Sequence, residues 1–291
     1  MRNIAVVIPS IRPKDYGKFV VAWGELLLKH NVEFITVWDG EKPIVSHNHQ
    51  DFTADQVMGR YKNVLSNFVA TIRNLGFAYV AKYLPDVEYI ITLDDDETPI
   101  GDPIQDHIDA LNMRVPVSWM STASEYTRGF PYGVRQEAEV VLSHGVWEGV
   151  ADWDAPTQLV LGTHRPVTFY KGAIPKGIYY PMCSMNLAFK RKLLPYIYHA
   201  PKALGVVRAN DIFAGIVSKR AIDKRGWAAV TGYSRVNHQR ASNVFKNLRE
   251  EAVELELFET FWKGQEDHPY FKIYRDKLKR WKEFIKKCRT T

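Results

Sequence analysis

Apolar residues in the first hundred positions occur in two patterns, short runs rich in apolar residues and helical spacing. The runs are residues 4–8, 32–37 and 87–93, and the segments with helical spacing between them are residues 16–29 and 63–84. Short runs rich in β-branched residues are typical of strands that are buried on both faces. The order strand, helix, strand, helix, strand predicts an α/β protein with a mostly parallel sheet flanked by helices.

Polar residues stand where each predicted strand ends. Ser10 closes the first run, Asp39 follows the second, and Asp94, Asp95 and Asp96 follow the third directly. Ligands of open α/β sheets bind beyond the carboxyl ends of the strands. These positions therefore predict the binding site.

The rest of the chain divides into a loop-rich middle and a helical end. Residues 121–181 are rich in Gly, Pro and aromatic residues and predict long loops with short strands, whereas residues 210–225 and 250–261 have helical spacing. No linker-like stretch separates these parts. We therefore predict one catalytic domain over residues 1–250, with a helical basic tail over residues 251–291 packed on it.

Composition narrows the class of protein. The chain has 291 residues, of which 46% are hydrophobic, enough for a sizeable core. Cys183 and Cys288 are the only cysteines, which excludes a disulfide scaffold and a cysteine-based zinc site. No apolar run reaches the roughly 18 residues of a membrane span, and the first residues lack the features of a signal peptide. The expectation is a soluble protein of a reducing compartment.

The net charge of +6 is concentrated at the C-terminus. Residues 270–291 contain nine Lys/Arg and two Asp/Glu, so the other residues carry about −1 in total. Apolar residues at helical spacing in the same segment predict an amphipathic helix. Two interpretations are open: a helix that docks its apolar face on the body, or a contact with nucleic acid or another anionic surface.

The aspartate triplet is the first candidate for chemistry. Adjacent carboxylates repel one another, so ordering them at a strand end is costly unless a cation or hydrogen-bond donors offset the charge. Hard divalent ions take oxygen ligands and often bind substrate phosphates as well. The triplet therefore predicts a metal site beside a phosphate-containing ligand, with a solvated acidic turn as the alternative.

Arginines and a tryptophan-rich segment supply further candidates. Arg73, and the pair Arg128 and Arg135 in a Gly/Pro/aromatic turn, suit an anionic ligand such as a diphosphate, although Arg73 could instead pair with Asp39 or lie on the surface. Residues 147–154 contain two Trp and two Asp residues. Trp rings stack on sugars and carboxylates bind their hydroxyls, so the segment predicts sugar recognition, with a Trp-rich core loop as the alternative.

Two more residues have a structural and a functional interpretation. Asp211 is either a catalytic carboxylate or a helix N-cap, and His238 is either a metal ligand or a surface imidazole. The patterns of zinc metalloproteases, P-loop NTPases and serine hydrolases are absent, so these three classes lack support.

Eight segments together carry a family resemblance. They are residues 91–96, 128–135, 143–147, 152–159, 175–177, 181–189, 210–215 and 238–243. In this order they resemble the reversibly glycosylated polypeptides, the UDP-arabinopyranose mutases best known from plants, over roughly residues 4–250. The strings Asp-Ala-Pro-Thr-Gln and Met-Cys-Ser-Met-Asn-Leu-Ala-Phe are the most specific.

The resemblance implies a fold like that of the GT-A glycosyltransferases and a divalent metal, usually Mn²⁺ or Mg²⁺. Asp94, Asp96 and His238 are expected to hold the metal against a UDP-sugar. Members interconvert UDP-arabinopyranose and UDP-arabinofuranose and become reversibly glycosylated on an arginine. Residues expected to bind the nucleotide sugar are Pro9, Ser10, Arg12, Asp39, Arg73, Asp94, Asp95, Trp147 and Asn186.

The resemblance also implies a catalytic set. Arg128 matches the glycosylated arginine and Arg135 the second required arginine, and because arginine is a weak nucleophile, Asp154 or Asp211 would accept or orient its proton. The chain departs from the family at Asn210, where a second acid is usual, at residues 136–137, and in its basic tail, which has no counterpart.

Three functional hypotheses follow. The first is a cytoplasmic UDP-arabinopyranose mutase. It could associate peripherally with a membrane and could form homo- or hetero-oligomers. The second is a metal-dependent glycosyltransferase in which Asp211 is the general base and the tail binds an anionic acceptor such as nucleic acid. The third is a non-catalytic UDP-sugar-binding subunit.

Overall fold

The computed structural model describes residues 3–39, 44–47, 50–68, 70–120, 126–163, 169–239 and 242–289. The strands are β1 (Ile4–Ser10), β2 (Glu33–Trp38), β3 (Ile44–His47), β4 (Gln50–Thr53), β5 (Tyr89–Leu93), β6 (Glu97–Pro99), β7 (Arg114–Val115), β8 (Ala138–Gly149), β9 (Gly172–Ala173), β10 (Asn186–Lys190) and β11 (Ala228–His238). The α-helices are α1 (Pro13–Lys29), α2 (Ala54–Met58), α3 (Arg73–Tyr83), α4 (Pro103–Leu111), α5 (Ala155–Leu161), α6 (Asn210–Lys224), α7 (Val244–Trp262) and α8 (Pro269–Cys288).

One mixed sheet forms the centre of the protein, with strand order β4-β3-β2-β1-β5-β10-β8-β11-β6. The pairs β1–β2, β1–β5 and β8–β11 are parallel, and the other pairs are antiparallel. The α/β class is confirmed, but the sheet is mixed rather than mostly parallel. The difference arises because β10 lies antiparallel between β5 and β8.

Long loops with short strands were predicted for residues 121–181, and the long strand β8 in this segment was not predicted. It is twelve residues long, and its middle is buried on both faces. A strand with two buried faces shows no alternation of polar and apolar residues, so this segment lacked the pattern by which half-buried strands are recognised. Helix α5 also lies in this segment.

Helices cover both faces of the sheet. Apolar residues of α3, α6, α7 and α8 form one buried cluster, and α1 and α4 pack on the opposite face. Helix α8 buries Tyr270, Phe271, Tyr274, Leu278, Trp281, Phe284 and Ile285. Because α7 begins at Val244, the boundary predicted at residue 251 falls inside a helix. Among the described residues, no helix is both long and apolar enough to span a membrane.

The segment 63–84 is not one continuous helix. Helix α3 begins at Arg73, and Phe68 has a positive φ of 59°, which an L-residue adopts only at a cost. The backbone amide of Phe68 donates a hydrogen bond to a carboxylate oxygen of Asp39 at 2.6 Å. This bond helps to hold the bent segment beside the carboxyl end of β2, where it forms part of a cavity.

Candidate active site

Two cavities meet at the carboxyl ends of β1 and β5. The first, of about 290 Å³, is lined by Pro9, Ser10, Ile11, Arg12, Asp39, Phe68, Ala70, Ile72, Arg73, Asp94 and Asp95. The second, of about 500 Å³, is lined by Arg12, Asp94, Asp96, Val150, Ala151, Asp152, Gln158, Met185, Arg208, His238, Ser242, Asn243, Lys246 and Asn247. Arg12 and Asp94 line both cavities, and we call the two together the cleft. Its place agrees with the predicted strand-end site.

The first cavity gathers most of the residues predicted to bind a nucleotide sugar. Of those nine residues, all except Trp147 and Asn186 line it. Its cations come from two different elements. Arg12 directly precedes α1, and Arg73 is the first residue of α3. Because both helices begin at the carboxyl edge of the sheet, the two arginines converge on one ligand volume.

Arg73 is held from below by the end of β5. Its Nε donates to the Thr92 hydroxyl at 3.1 Å, and its guanidinium pairs with Asp94. Burial lowers the pKa of Arg73, against the attraction of Asp211 and other acids. Arginine stays charged in proteins even so. The result is a fixed cation in the floor of the first cavity.

Asp95 positions Arg12 rather than presenting a free carboxylate. The hydroxyl of Ser10 donates to Asp95 Oδ2 at 2.5 Å, and the guanidinium of Arg12 pairs with the other oxygen. Arg12 also lies 3.3 Å from Asp96 Oδ2. The middle aspartate of the triplet is buried and thereby fixes a partly exposed arginine at the junction of the two cavities.

Asp96 and His238, two of the predicted metal ligands, lie side by side in the second cavity. Oδ1 of Asp96 is buried without a hydrogen-bond partner and lies 3.9 Å from His238 Nε2. His238 Nδ1 lies 2.9 Å from the carbonyl oxygen of Val150, which places the hydrogen on Nδ1 and leaves a lone pair on Nε2. A histidine ligand is oriented by such an outer hydrogen bond.

The described residues do not form a complete cage for a metal. No group of three or more His, Cys, Asp and Glu side chains among them is arranged to hold an ion. Asp94, the third predicted ligand, pairs with Arg73. Two ligands suit a hard cation that keeps water molecules and shares phosphate oxygens with its substrate. The residues present therefore fit a substrate-bridging Mn²⁺ or Mg²⁺.

Glu97 supports the triplet from the core. It is buried, and its Oε2 accepts a hydrogen bond from the Asp94 backbone amide at 2.8 Å. Burial first, and then the charge of Asp96, raises its pKa well above the usual value. Glu97 was not among the predicted site residues; it follows the triplet directly and pairs with His238 between β6 and β11.

Asp152 lines the second cavity together with Asp94 and Asp96. Asp152 lies deep in the protein, but the cavity gives its side chain access to solvent. Burial, and then the neighbouring charge of Asp211, raises its pKa to about 6. A carboxyl group with such a pKa can both accept and return a proton near neutral pH.

The two carboxylates predicted to assist catalysis have structural partners. Asp154 is exposed and caps α5 by accepting from the Thr157 amide at 2.8 Å. Asp211 accepts from the Ser184 amide at 3.0 Å, and burial raises its pKa. Neither lines the cleft. Asp211 acts on the site through Asp152, whose pKa it raises.

The predicted arginine pair lies outside the cleft. Arg128 is exposed on the loop before Tyr132–Val134, and neither Arg128 nor Arg135 lines the two cavities. The Arg135 guanidinium lies over the Tyr132 ring at 3.8 Å and the Tyr126 ring at 4.5 Å. It also donates to the Phe130 carbonyl at 3.2 Å. Arg135 thus stabilises the loop that carries Arg128.

Trp147 and Asn186 also lie apart from the lining of the cleft. Trp147 packs edge-on against His144 and Phe169. Asn186 is fully buried, donates to the carbonyls of Val146 and Ser234, and accepts from His107. Its amide joins β8, β10 and β11, so it has no surface for a ligand. Its predicted role in binding does not fit this position.

Sequence analysis missed two cations of the second cavity. Arg208 donates from Nε to Glu251 Oε1 at 2.9 Å, and Lys246 lies in the first turn of α7. Glu254 accepts hydrogen bonds from the backbone amides of residues 207–209, which fixes the backbone at Arg208. The family motif at residues 238–243 lies beside this cavity, but it includes neither Arg208 nor Lys246.

The fold and the site define an α/β protein whose ligand cleft lies at the carboxyl edge of the sheet and is lined by arginines and aspartates. Residues 1–263 match the family model described as reversibly glycosylated polypeptide. The chain belongs to this family. The resemblance found in the motifs is confirmed.

Several plant proteins are similar over most of the chain. A probable UDP-arabinopyranose mutase 4 from Arabidopsis thaliana is 32% identical over 278 residues, which are 86% of this chain and 73% of that protein. UDP-arabinopyranose mutase 3 from the same plant is 30% identical over 294 residues, or 92% and 77% of the two chains. Among solved structures, the catalytic domain of Drosophila beta1,4-galactosyltransferase 7 with xylobiose is 12% identical, with a TM-score of 0.39 over 86% of this chain and 80% of that one. That score is too low to support an argument.

Proposed function

We propose that this protein is a UDP-arabinopyranose mutase that interconverts UDP-arabinopyranose and UDP-arabinofuranose. The observation that carries the proposal is the cleft, in which a cavity with two arginines meets a cavity with a carboxylate whose pKa is about 6. The names of the plant relatives supply the substrate class.

In this proposal the first cavity binds the uridine diphosphate. Arg12 and Arg73 would bind the negatively charged diphosphate in the first cavity, and Lys246 would contact it from the second cavity. Preorganised cations favour departure of UDP from C1, because they stabilise the charge that grows on the leaving group. They would also keep UDP in the cavity, so that its bond to C1 re-forms once the sugar ring has changed. Asp95 and Asp94 hold the two arginines in place before substrate binds.

Asp96 and His238 would hold a divalent cation, which would supply Lewis-acid stabilisation of the diphosphate when bound. The unpartnered Oδ1 of Asp96 and the oriented Nε2 of His238 support this assignment. Asp94 lines the same cavity, where it pairs with Arg73, and would be the third ligand if Arg73 bound the phosphates instead.

The sugar would occupy the second cavity beside Asp152. Conversion of the pyranose to the furanose breaks the bond from C1 to the C5 oxygen and forms one from C1 to the C4 oxygen. One proton therefore leaves the C4 hydroxyl and one is gained by the C5 oxygen. Asp152 would accept the first proton and return it to the other oxygen, for which its raised pKa is suited.

Turnover of UDP-arabinopyranose tests the proposal directly. Incubation of the purified protein with this substrate and Mn²⁺ is expected to yield UDP-arabinofuranose, resolved by chromatography. A chelator is expected to abolish turnover, and added Mn²⁺ to restore it. Release of UDP without a furanose product would contradict the mutase and favour transfer or hydrolysis. Tight UDP binding without any turnover of UDP-sugars would indicate the binding subunit.

Glycosylation of Arg128 is a separate prediction. Incubation with radiolabelled UDP-arabinose, digestion and mass spectrometry are expected to place a pentose on Arg128, and Arg128→Lys to remove the label while UDP still binds. Arg114→Lys, on another exposed arginine, is the matched control and is expected to keep the label. A label that persists in Arg128→Lys would assign the modification to another residue.

The position of Arg128 favours a second candidate, an ordinary glycosyltransferase. Because Arg128 lies outside the cleft, capture of the sugar by this residue requires the loop to move, whereas an acceptor could enter the second cavity directly. Transfer from a UDP-sugar to an added acceptor, without formation of UDP-arabinofuranose, would establish this alternative.

A further inference from the structure

Helix α8 carries a straight row of cations on its exposed side. Its members follow one another at alternating spacings of three and four residues, which keeps them on one line of a helix. They are Lys272, Arg275, Lys279, Lys282 and Lys286 on α8 and Arg289 directly after its last residue, and we call them the basic stripe. At 1.5 Å per residue the stripe is about 26 Å long, with one charge roughly every 5 Å.

Among the described residues, acids neutralise only two of the six cations of the stripe. Lys272 pairs with Asp276, and Arg275 shares Glu266 with Arg220. In the described part of the chain, no carboxylate forms an ion pair with Lys279, Lys282 or Lys286. Helix α8 as a whole has eight Lys/Arg and two acids, a net charge of +6 that equals the charge of the entire chain.

Two aromatic rings fix further cations beside the stripe. The guanidinium of Arg225 lies 3.6 Å from the centre of the Tyr196 ring, and Lys282 Nζ lies 5.5 Å from the same centre. Lys192 Nζ lies 5.0 Å from the Trp227 ring. Partial burial and then the charge of Arg225 lower the pKa of Lys282. The rings thus hold cations close together in spite of their repulsion.

Helix α8 lies outside the part of the chain that matches the family model, which ends at residue 263. Its apolar face is buried in the body, and none of its residues is an exposed large hydrophobic. The helix therefore cannot insert an apolar face between lipids, as interfacial helices do. A contact through this surface must be electrostatic.

The positions of the two acids on α8 distinguish a flat partner from a linear one. On a helix, Asp276 and Glu283 fall beside the stripe on the outermost face, and both are exposed. A flat anionic membrane that touched this face would meet the acids together with the lysines. A linear polyanion along the side of the helix, between the stripe and Arg225, would avoid both of these acids.

We propose that the basic stripe, together with Arg225, binds the sugar-phosphate backbone of double-stranded nucleic acid without reading its sequence. The duplex carries one negative charge per about 1.7 Å of its axis, a density that a row of fixed cations complements. The faces of Tyr196 and Trp227 are covered by cations, so they are not platforms for unpaired bases.

Fluorescence anisotropy with a labelled 24-base-pair DNA duplex tests the proposal on the full chain. Phosphate contacts from the six cations of the stripe and from Arg225 predict that the logarithm of the affinity falls with the logarithm of salt concentration with a slope of about −6. The variant Lys279→Glu/Lys282→Glu/Lys286→Glu is expected to bind at least about tenfold more weakly, with about half of that slope. Lys18→Glu/Lys202→Glu/Lys263→Glu, on exposed lysines elsewhere, makes the same change in net charge and is expected to retain the wild-type slope.

Circular dichroism and UDP binding verify that each variant is folded. No binding of the duplex at 50 mM salt, or equal losses in both triple variants, would overturn the proposal. Co-sedimentation with vesicles containing phosphatidylserine, without binding of the duplex, would assign the stripe to a membrane and overturn it as well.

Discussion

Asp152→Asn is expected to lower kcat/KM for UDP-arabinopyranose by about 10² to 10⁴-fold, the usual contribution of a positioned acid or base. Asparagine keeps the size of the side chain but can neither accept nor return the proton. UDP binding is expected to be unchanged, because Asp152 lines the second cavity and not the first. Steady-state kinetics with UDP-arabinopyranose, together with titration of UDP alone, separate the two effects.

The neighbouring Asp154→Asn is the matched control. Asp154 caps α5, and asparagine is an equally good N-cap, so activity and stability are expected to stay near the wild-type values. The pH profile supplies a second readout. Because Asp152 must be ionised to accept the proton, wild-type kcat/KM should rise with pH up to about 6. Retention of this rise in Asp152→Asn, or equal losses in both variants, would remove Asp152 from the reaction.

Gly215→Ala is expected to destabilise the protein by roughly 1 to 3 kcal/mol, the typical cost of overpacking. An added Cβ would lie 2.5 Å from the carbonyl oxygen of Met182 and 3.0 Å from its backbone nitrogen. Helix α6 would have to move away from the segment 182–184. Activity should fall as well, because Asp211 on α6 accepts a hydrogen bond from the Ser184 amide. Chemical denaturation and kinetics measure the two losses.

Gly17→Ala in α1 is the opposite case. Gly17 is exposed, and nothing lies within 4 Å of an added Cβ, so alanine should stabilise the helix by up to about 1 kcal/mol. Equal destabilisation by both substitutions would indicate that an added Cβ is costly even without the close approach of α6 to Met182. A Gly215→Ala protein as stable as the wild type would contradict the packing described for α6.

The carboxyl edge of the sheet was predictable from the sequence. Short runs rich in apolar residues identify buried strands, and the polar residues that follow them mark one edge, because parallel strands end together. The strand ends located Ser10, Asp39 and the aspartate triplet, and Arg12 and Arg73 were separately predicted to bind the nucleotide sugar. All of these residues contribute to the cleft.

The choice of catalytic carboxylate and the role of Asn186 depended on tertiary contacts, which spacing along the chain does not determine. Asp152 and Asp154 are two residues apart, and only tertiary contacts decide which of them faces the cavity. Glu251 on α7 accepts from the Ala155 amide at 2.7 Å and anchors the start of α5, where Asp154 serves as the cap. Asn186 lies in a family motif, but the pairing of β10 with β8 carries it into the core.

The sequence by itself determined the class of fold, the edge of the sheet that binds ligand, the family, and the amphipathic pattern of the C-terminal helix. Only the tertiary structure decided that Asp152 faces the cleft, that Arg128 lies outside it, and that α8 turns its apolar face inward and leaves the basic stripe exposed. The physical reason is that local spacing sets which residues share a face of a helix or strand. What that face meets is set by residues far away in the chain, through packing and hydrogen bonds that no local pattern contains.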